Sequence, residues 1–84
     1  MKDSTPAAVL LGQRVREMHA KRKLTQQALA AAAGIPQTHV SAIELGQMSP
    51  TLITLVRLAV ALDCKVAKLV SILDESDLAS LLPK

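Results

Sequence analysis

Along the chain the apolar positions fall into short runs at helical spacing, each closed by a glycine, a proline or a cluster of charge. After Pro6, Leu11, Val15 and Met18 recur at i, i+4 and i+7, one face of a first helix. The basic run Lys21-Arg22-Lys23 has no apolar partner and ends that helix before Leu24. Thr25 is an N-cap for a second helix, which turns Leu29, Ala30 and Ala33 inward and stops at Gly34. Ile35 and Pro36 lead directly into a third helix from Gln37 to Leu45, with Val40 and Ile43 on its inner side and Gly46 closing it.

Residues 47–50 read as a loop, and Thr51 caps a fourth helix whose core stripe is expected to be Leu52, Leu55, Ala59 and Leu62. A fifth helix is expected to direct Val66, Leu69 and Leu73 inward, although Lys65 is a poor cap at its start. In residues 74–84, Leu78, Leu81 and Leu82 fit either a short last helix or a frayed acidic tail. No strand-like alternation occurs, so the pattern predicts an all-α chain. Residues 1–8 are expected to be an N-terminal tail, 9–73 one domain, and 74–84 a tail or dimerisation extension.

Length and composition narrow this picture. Eighty-four residues supply one core, and a small one, to which assembly with a second copy would add stability. The absence of Phe, Tyr and Trp makes that core aliphatic and removes the stacking platforms that single-stranded nucleic acids need. The net charge is +3, unevenly placed: residues 1–42 carry Lys2, Arg14, Arg16, Lys21, Arg22 and Lys23 against Asp3 and Glu17, whereas Asp74, Glu75 and Asp77 lie near the end. One basic face turned toward an anionic partner accounts for this, and so does ordinary solvated charge.

Cys64 is the only cysteine, which suits a reducing compartment, and with His19 and His39 it does not make a zinc set. No cofactor is expected. The apolar run 7–11 is too short for a signal peptide. The uncharged stretch 24–43 contains too many glutamines, with Gly34 and Pro36, to span a membrane. A cytoplasmic, nucleoid-associated location is expected.

The informative stretch is LTQQALAAAAGIPQTHVSAIELG, residues 24–46. Small residues from Ala28 to Ala33 let two short helices cross closely, Gly34 takes the turn between them, and Val40 and Ile43 lock the second onto the first. That is a helix-turn-helix. Its second helix presents Gln37, Thr38, Ser41, Ala42 and Leu45 outward, on a body that a major groove about 12 Å wide accepts.

Over roughly residues 9–73 the sequence resembles the Cro and phage-repressor type helix-turn-helix family, also called the XRE family. The resemblance rests on residues 11–16 (LGQRVR), Leu24-Thr25-Gln26-Gln27 with Leu29-Ala30, and Gly34-Ile35-Pro36. It continues through residues 40–44 (VSAIE), Gly46, Pro50-Thr51-Leu52 and residues 55–62. It implies a five-helix, lambda-repressor-like DNA-binding domain acting as a transcriptional regulator, a repressor that binds a palindromic operator on double-stranded DNA as a homodimer. It further implies that Gln26 clamps a phosphate where the free N–H groups of the second helix already point, and that Gln37 and Thr38 open the recognition helix. Gln37 could then bond adenine N6 and N7, and Thr38 and Ala42 could touch thymine methyls. Otherwise these three face only solvent or phosphate.

The recognition helix carries no Lys or Arg, so the fork onto guanine is not available and an A·T-leaning half-site is expected. Phosphate contacts are expected from Lys21, Arg22 and Lys23, with His39 either meeting a phosphate or facing solvent. Two departures from the family stand out. Leu45 occupies a place where many members have Arg or Asn, and His19 occupies that of an arginine that pairs with the glutamate matching Glu44, which suggests a His19–Glu44 ion pair.

Nothing here suits an enzyme: there is no phosphate loop and no nucleophile with a partner. The rival reading is an antitoxin or adaptor of the same fold, whose main partner is a protein such as a toxin. Ile53, Val56, Val60, Val70, Leu81 and Leu82 exceed what a core of this size needs. The simplest use for such a surplus is a homodimer through the fifth helix and its tail, with Val70, Leu78, Leu81 and Leu82 at the interface.

Overall fold

The computed structural model describes residues 5–74. Helices α1 (Pro6–Lys21), α2 (Gln26–Ala33), α3 (Gln37–Glu44), α4 (Leu52–Ala61) and α5 (Val66–Val70) follow in order, and a 3₁₀ turn, Ser71–Leu73, closes the series. No strand occurs among the described residues, so the all-α expectation holds.

Three of the five helices start at a threonine that accepts a hydrogen bond from a first-turn N–H. Thr5 Oγ1 receives Ala8 N–H at 3.2 Å, Thr25 Oγ1 receives Ala28 N–H at 3.0 Å, and Thr51 Oγ1 receives Thr54 N–H at 3.2 Å. Each such cap contributes about 1 kcal/mol. The first of them places the start of α1 inside the stretch expected to be a tail. Thr5 is the N-cap and Pro6 the first helical residue, where a missing N–H costs nothing, and Ala8 is already buried.

The core is aliphatic throughout. Leu11, Val15 and Met18 come from α1, Leu29, Ala30 and Ala33 from α2, and Val40 and Ile43 from α3. Leu58, Ala59 and the adjoining Leu62 come from α4, and Leu69 from α5.

The expected stripe on α4 needs correction. Leu52 is 70% exposed and Leu58 takes the central place. Leu52 shares a face with Ala59 but lies two turns earlier, in the first turn of a helix that packs on α2 and α5. That turn overhangs the core. Val70 is also placed differently from expectation: it is half-buried and packs against the core, as do Val66 and Cys64. Burial pushes the Cys64 thiol up from its ordinary range, with Arg22 and Lys68 opposing, which suits the small packing residue expected there. No helix among the described residues is long and apolar enough to cross a membrane.

Gly12 sets the distance between α1 and α3. A Cβ there would collide with the carbonyl oxygens of Ile43 and Glu44, lying 2.7 Å from the latter. Both obstacles are backbone and cannot swing aside. On an open helix face Gly→Ala stabilises by about 1 kcal/mol through helix propensity. At this position the sign reverses. Gly12→Ala is expected to lower stability by about 2–3 kcal/mol through overpacking, read as a lower urea midpoint at unchanged slope.

Candidate nucleic-acid interface

The α2–α3 corner is built around Gly34, which adopts φ +70°, ψ 34° and donates its N–H to the last turn of α2. Any other residue would be strained in that left-handed conformation. A side chain would also meet Arg57, whose guanidinium lies 2.9 Å from where the Cβ would stand. Arg57 belongs to α4 and donates Nη1–H to the carbonyl of Ala33 at 3.5 Å, a long contact to one of the free carbonyls at the C-terminus of α2. A third helix thus braces the turn. After Ile35 and Pro36, α3 begins at Gln37, and Pro36 has no side-chain donor or acceptor to cap it.

On α3 the buried side is Val40, Ile43 and Glu44. At about 100° per residue, Gln37, Ser41, Leu45, Thr38 and Ala42 follow one another round the helix in an arc that begins beside Glu44 and runs away from the buried side. Gln37 and Thr38 are exposed, Ser41 and Ala42 are half-buried along its edge, and Leu45 is 55% exposed. The residues expected to read bases therefore form one continuous, uncharged stripe. His39 is exposed between that stripe and the buried side.

Glu44 is the one buried charged residue among those described, its side chain 1% exposed. Its Oε1 accepts from Gln26 Nε2 at 2.9 Å and lies 3.7 Å from Arg16 Nε. Its Oε2 lies 3.1 Å from Nδ1 of His19, itself only 12% exposed, so the pair expected from the sequence is present in space. The ring N–H is not aimed at Oε2 as a hydrogen bond requires, and neither atom has another hydrogen-bond partner. The contact is an ion pair only when the imidazole is protonated. Helices α1, α2 and α3 all converge on this carboxylate, and the involvement of Gln26 and Arg16 had no signal in the sequence pattern.

Gln26 is the first residue of α2, next to the first-turn N–H groups. The basic run is less uniform. Lys23 is exposed in the turn at φ +58°. Arg22 reaches across to the α4–α5 turn, donating Nη2–H to the Asp63 carbonyl at 3.2 Å and lying 3.8 Å from its carboxylate. With Lys21, Lys68, Met18, Leu24 and Ala61 it lines an open depression of about 610 Å³ to which α3 contributes nothing. Lys21 and Arg22 thus line this depression, and Lys23 does not. Leu78, Leu81 and Leu82 lie outside the described residues. No group of three or more metal-ligating side chains occurs among the described residues.

Comparison with known proteins agrees with this geometry. The helix-turn-helix family model matches residues 13–69. An uncharacterized HTH-type transcriptional regulator, y4dJ, of Sinorhizobium fredii is 36% identical over 67 residues, covering 80% of this chain and 87% of its own. Among solved structures, the restriction-modification controller protein C.AhdI from Aeromonas hydrophila superposes with a TM-score of 0.73 at 35% identity, over 74% of this chain and 94% of that one. The clp gene regulator ClgR from C. glutamicum gives a TM-score of 0.78 at 23% identity, over 87% and 95%, and so a likeness of fold.

Removing the Glu44 carboxylate leaves Gln26 and His19 facing an empty site. Glu44→Ala is expected to destabilise the chain by about 3 kcal/mol or more, measured by denaturant unfolding. Glu44→Gln keeps an acceptor for Gln26 and is expected to lose less.

Proposed function

The chain belongs to the XRE family of helix-turn-helix transcriptional regulators, and on that premise we propose that it is a repressor holding a palindromic DNA operator as a homodimer. The observation that carries this is the outward stripe of α3, whose uncharged side chains stand clear of the core on a helix the groove can admit. Gln37 reads an adenine through N6 and N7, while Ser41 bonds a neighbouring base edge. Thr38 and Ala42 sort thymine by its methyl.

Gln26, Lys21, Lys23 and His39 supply phosphate contacts that set register without reading sequence, and Arg22 joins them only by leaving Asp63. Because α3 has no arginine or lysine, A·T pairs dominate the half-site.

The dimer is supported by α4. Ile53, Val56 and Val60 recur at i, i+3 and i+7 and are exposed, Val60 by 73%, so they form an apolar strip with no cover among the described residues. Two copies joined there give the two-fold axis that paired half-sites require. Val70 contributes less, being packed against its own core. The same strip also favours the second reading, an antitoxin or adaptor in which a different protein covers α4.

Selection from a random duplex pool at about 0.15 M salt tests the DNA claim, since non-specific phosphate binding is already weakened there. The expected result is a two-fold symmetric site with half-site centres about 10 bp apart. Gln37→Ala is expected to cost about 1–3 kcal/mol on that site and to relax preference at one base pair in each half. Absence of any enriched motif would sink the reading. Separately, Ile53→Asp with Val60→Asp is expected to give a folded monomer by sedimentation. A dimer that survives both charges would place the interface elsewhere.

A further inference from the structure

The turns that follow α1 and α4 meet at a single contact. Lys23 stands at φ +58° in the first and Asp63 at φ +53° in the second, the two non-glycine residues at positive φ among those described. Each turn is closed on its own helix. Lys23 and Leu24 donate N–H to the carbonyls of Ala20 and His19 at 3.0 and 2.9 Å, and Asp63 and Cys64 to those of Val60 and Ala59 at 3.1 and 2.9 Å. Arg22 spans the gap between them. Its Nη2–H donates to the Asp63 carbonyl at 3.2 Å, and its Nη1 lies 3.8 Å from Oδ2 of the same residue.

The Asp63 side chain is 91% exposed and that of Arg22 43%, so water screens the pair and it opens at little cost. Arg22 also sits three residues before Thr25, the cap of α2, close along the chain to the helix start where Gln26 and the first-turn N–H groups offer a place for phosphate. A duplex phosphate, one of a dense row of like charges, is a rival acceptor for the same guanidinium.

We propose that Asp63 is an internal competitor for Arg22, holding it off the DNA backbone and so limiting the affinity of the chain for DNA. Asp63 touches no DNA itself and acts only through the arginine. A phosphate contact carries no sequence information, so the pair lowers specific and non-specific binding alike and raises the protein concentration at which a site fills. The inference rests on the DNA-binding reading above.

The test is a double-mutant cycle on the full chain: the unaltered protein, Asp63→Asn, Arg22→Gln and the two combined. Affinity for the duplex recovered by selection and for an unrelated duplex is read by fluorescence anisotropy at about 0.15 M salt. Asn removes the charge alone, since it tolerates the left-handed backbone as Asp does and keeps the carbonyl that receives Arg22. Gln at position 22 keeps a donor for that carbonyl, and urea unfolding of all four proteins verifies that they are folded. Asp63→Asn is expected to tighten binding about two- to five-fold for each protomer bound, the scale of an exposed ion pair, on both duplexes. In the Arg22→Gln background the same change is expected to do nothing. No gain from Asp63→Asn overturns the proposal. So does an equal gain with and without Arg22, which would mean that the Asp63 charge repels DNA directly. If no protein prefers any duplex, the DNA-binding reading fails and takes the inference with it.

Discussion

A carboxylate cannot be taken out of water without partners, and this fold is arranged so that the carboxylate of Glu44 has them. Its desolvation costs several kcal/mol unless charge and hydrogen bonds replace the lost water. The replacements come from α1 in the form of His19 and Arg16, and from α2 in the form of Gln26. Satisfying one charge therefore orients α1, α2 and α3 against one another. Gly12 serves the same junction from the backbone side, since only a residue without a Cβ lets α1 approach the final carbonyls of α3. The hydrophobic core supplies the bulk of the stability, but aliphatic contacts alone tolerate sliding, whereas a buried ion pair and a backbone-to-backbone contact do not.

Much of this was legible in the sequence because it is local. Threonine caps at Thr25 and Thr51, the stop at Gly34 and the inward pairs Leu29/Ala33 and Val40/Ile43 all follow from chemistry within a few residues. The elements that were misread or missed depend on where helices end in space. Periodicity puts Leu52 on the same face as Ala59, yet cannot reveal that the first turn of α4 projects beyond the body it packs on. Arg57 over the Ala33 carbonyl, and Arg22 on Asp63, join residues 24 and 41 positions apart, and nothing in their neighbours announces it. His19 and Glu44 were paired only through likeness to a family, because a histidine 25 residues upstream of a glutamate has no local signature.

The apolar surplus illustrates the same division. Composition alone shows that an aliphatic-rich chain of this size has more large side chains than its core can take. Which of them remain outside is a question of packing. The structure answers it in favour of Ile53, Val56 and Val60 on α4, and draws Val70 inward beside Leu69. The strip on α4 and the stripe on α3 belong to different helices, so a partner on α4 need not cover the exposed residues of α3.

Gln37, Thr38 and Leu45 stand exposed on the outward stripe of α3. Among the described residues Gln37 and Thr38 are no part of the core, and α3 is anchored through Val40, Ile43 and Glu44. Substitution at such exposed positions ordinarily shifts stability by no more than about 0.5 kcal/mol. The scaffold is thus insulated from changes along that exposed stripe. A lineage could change those side chains one at a time at almost no cost to folding, so that the outer face of α3 is free to vary while the fold beneath it stays the same.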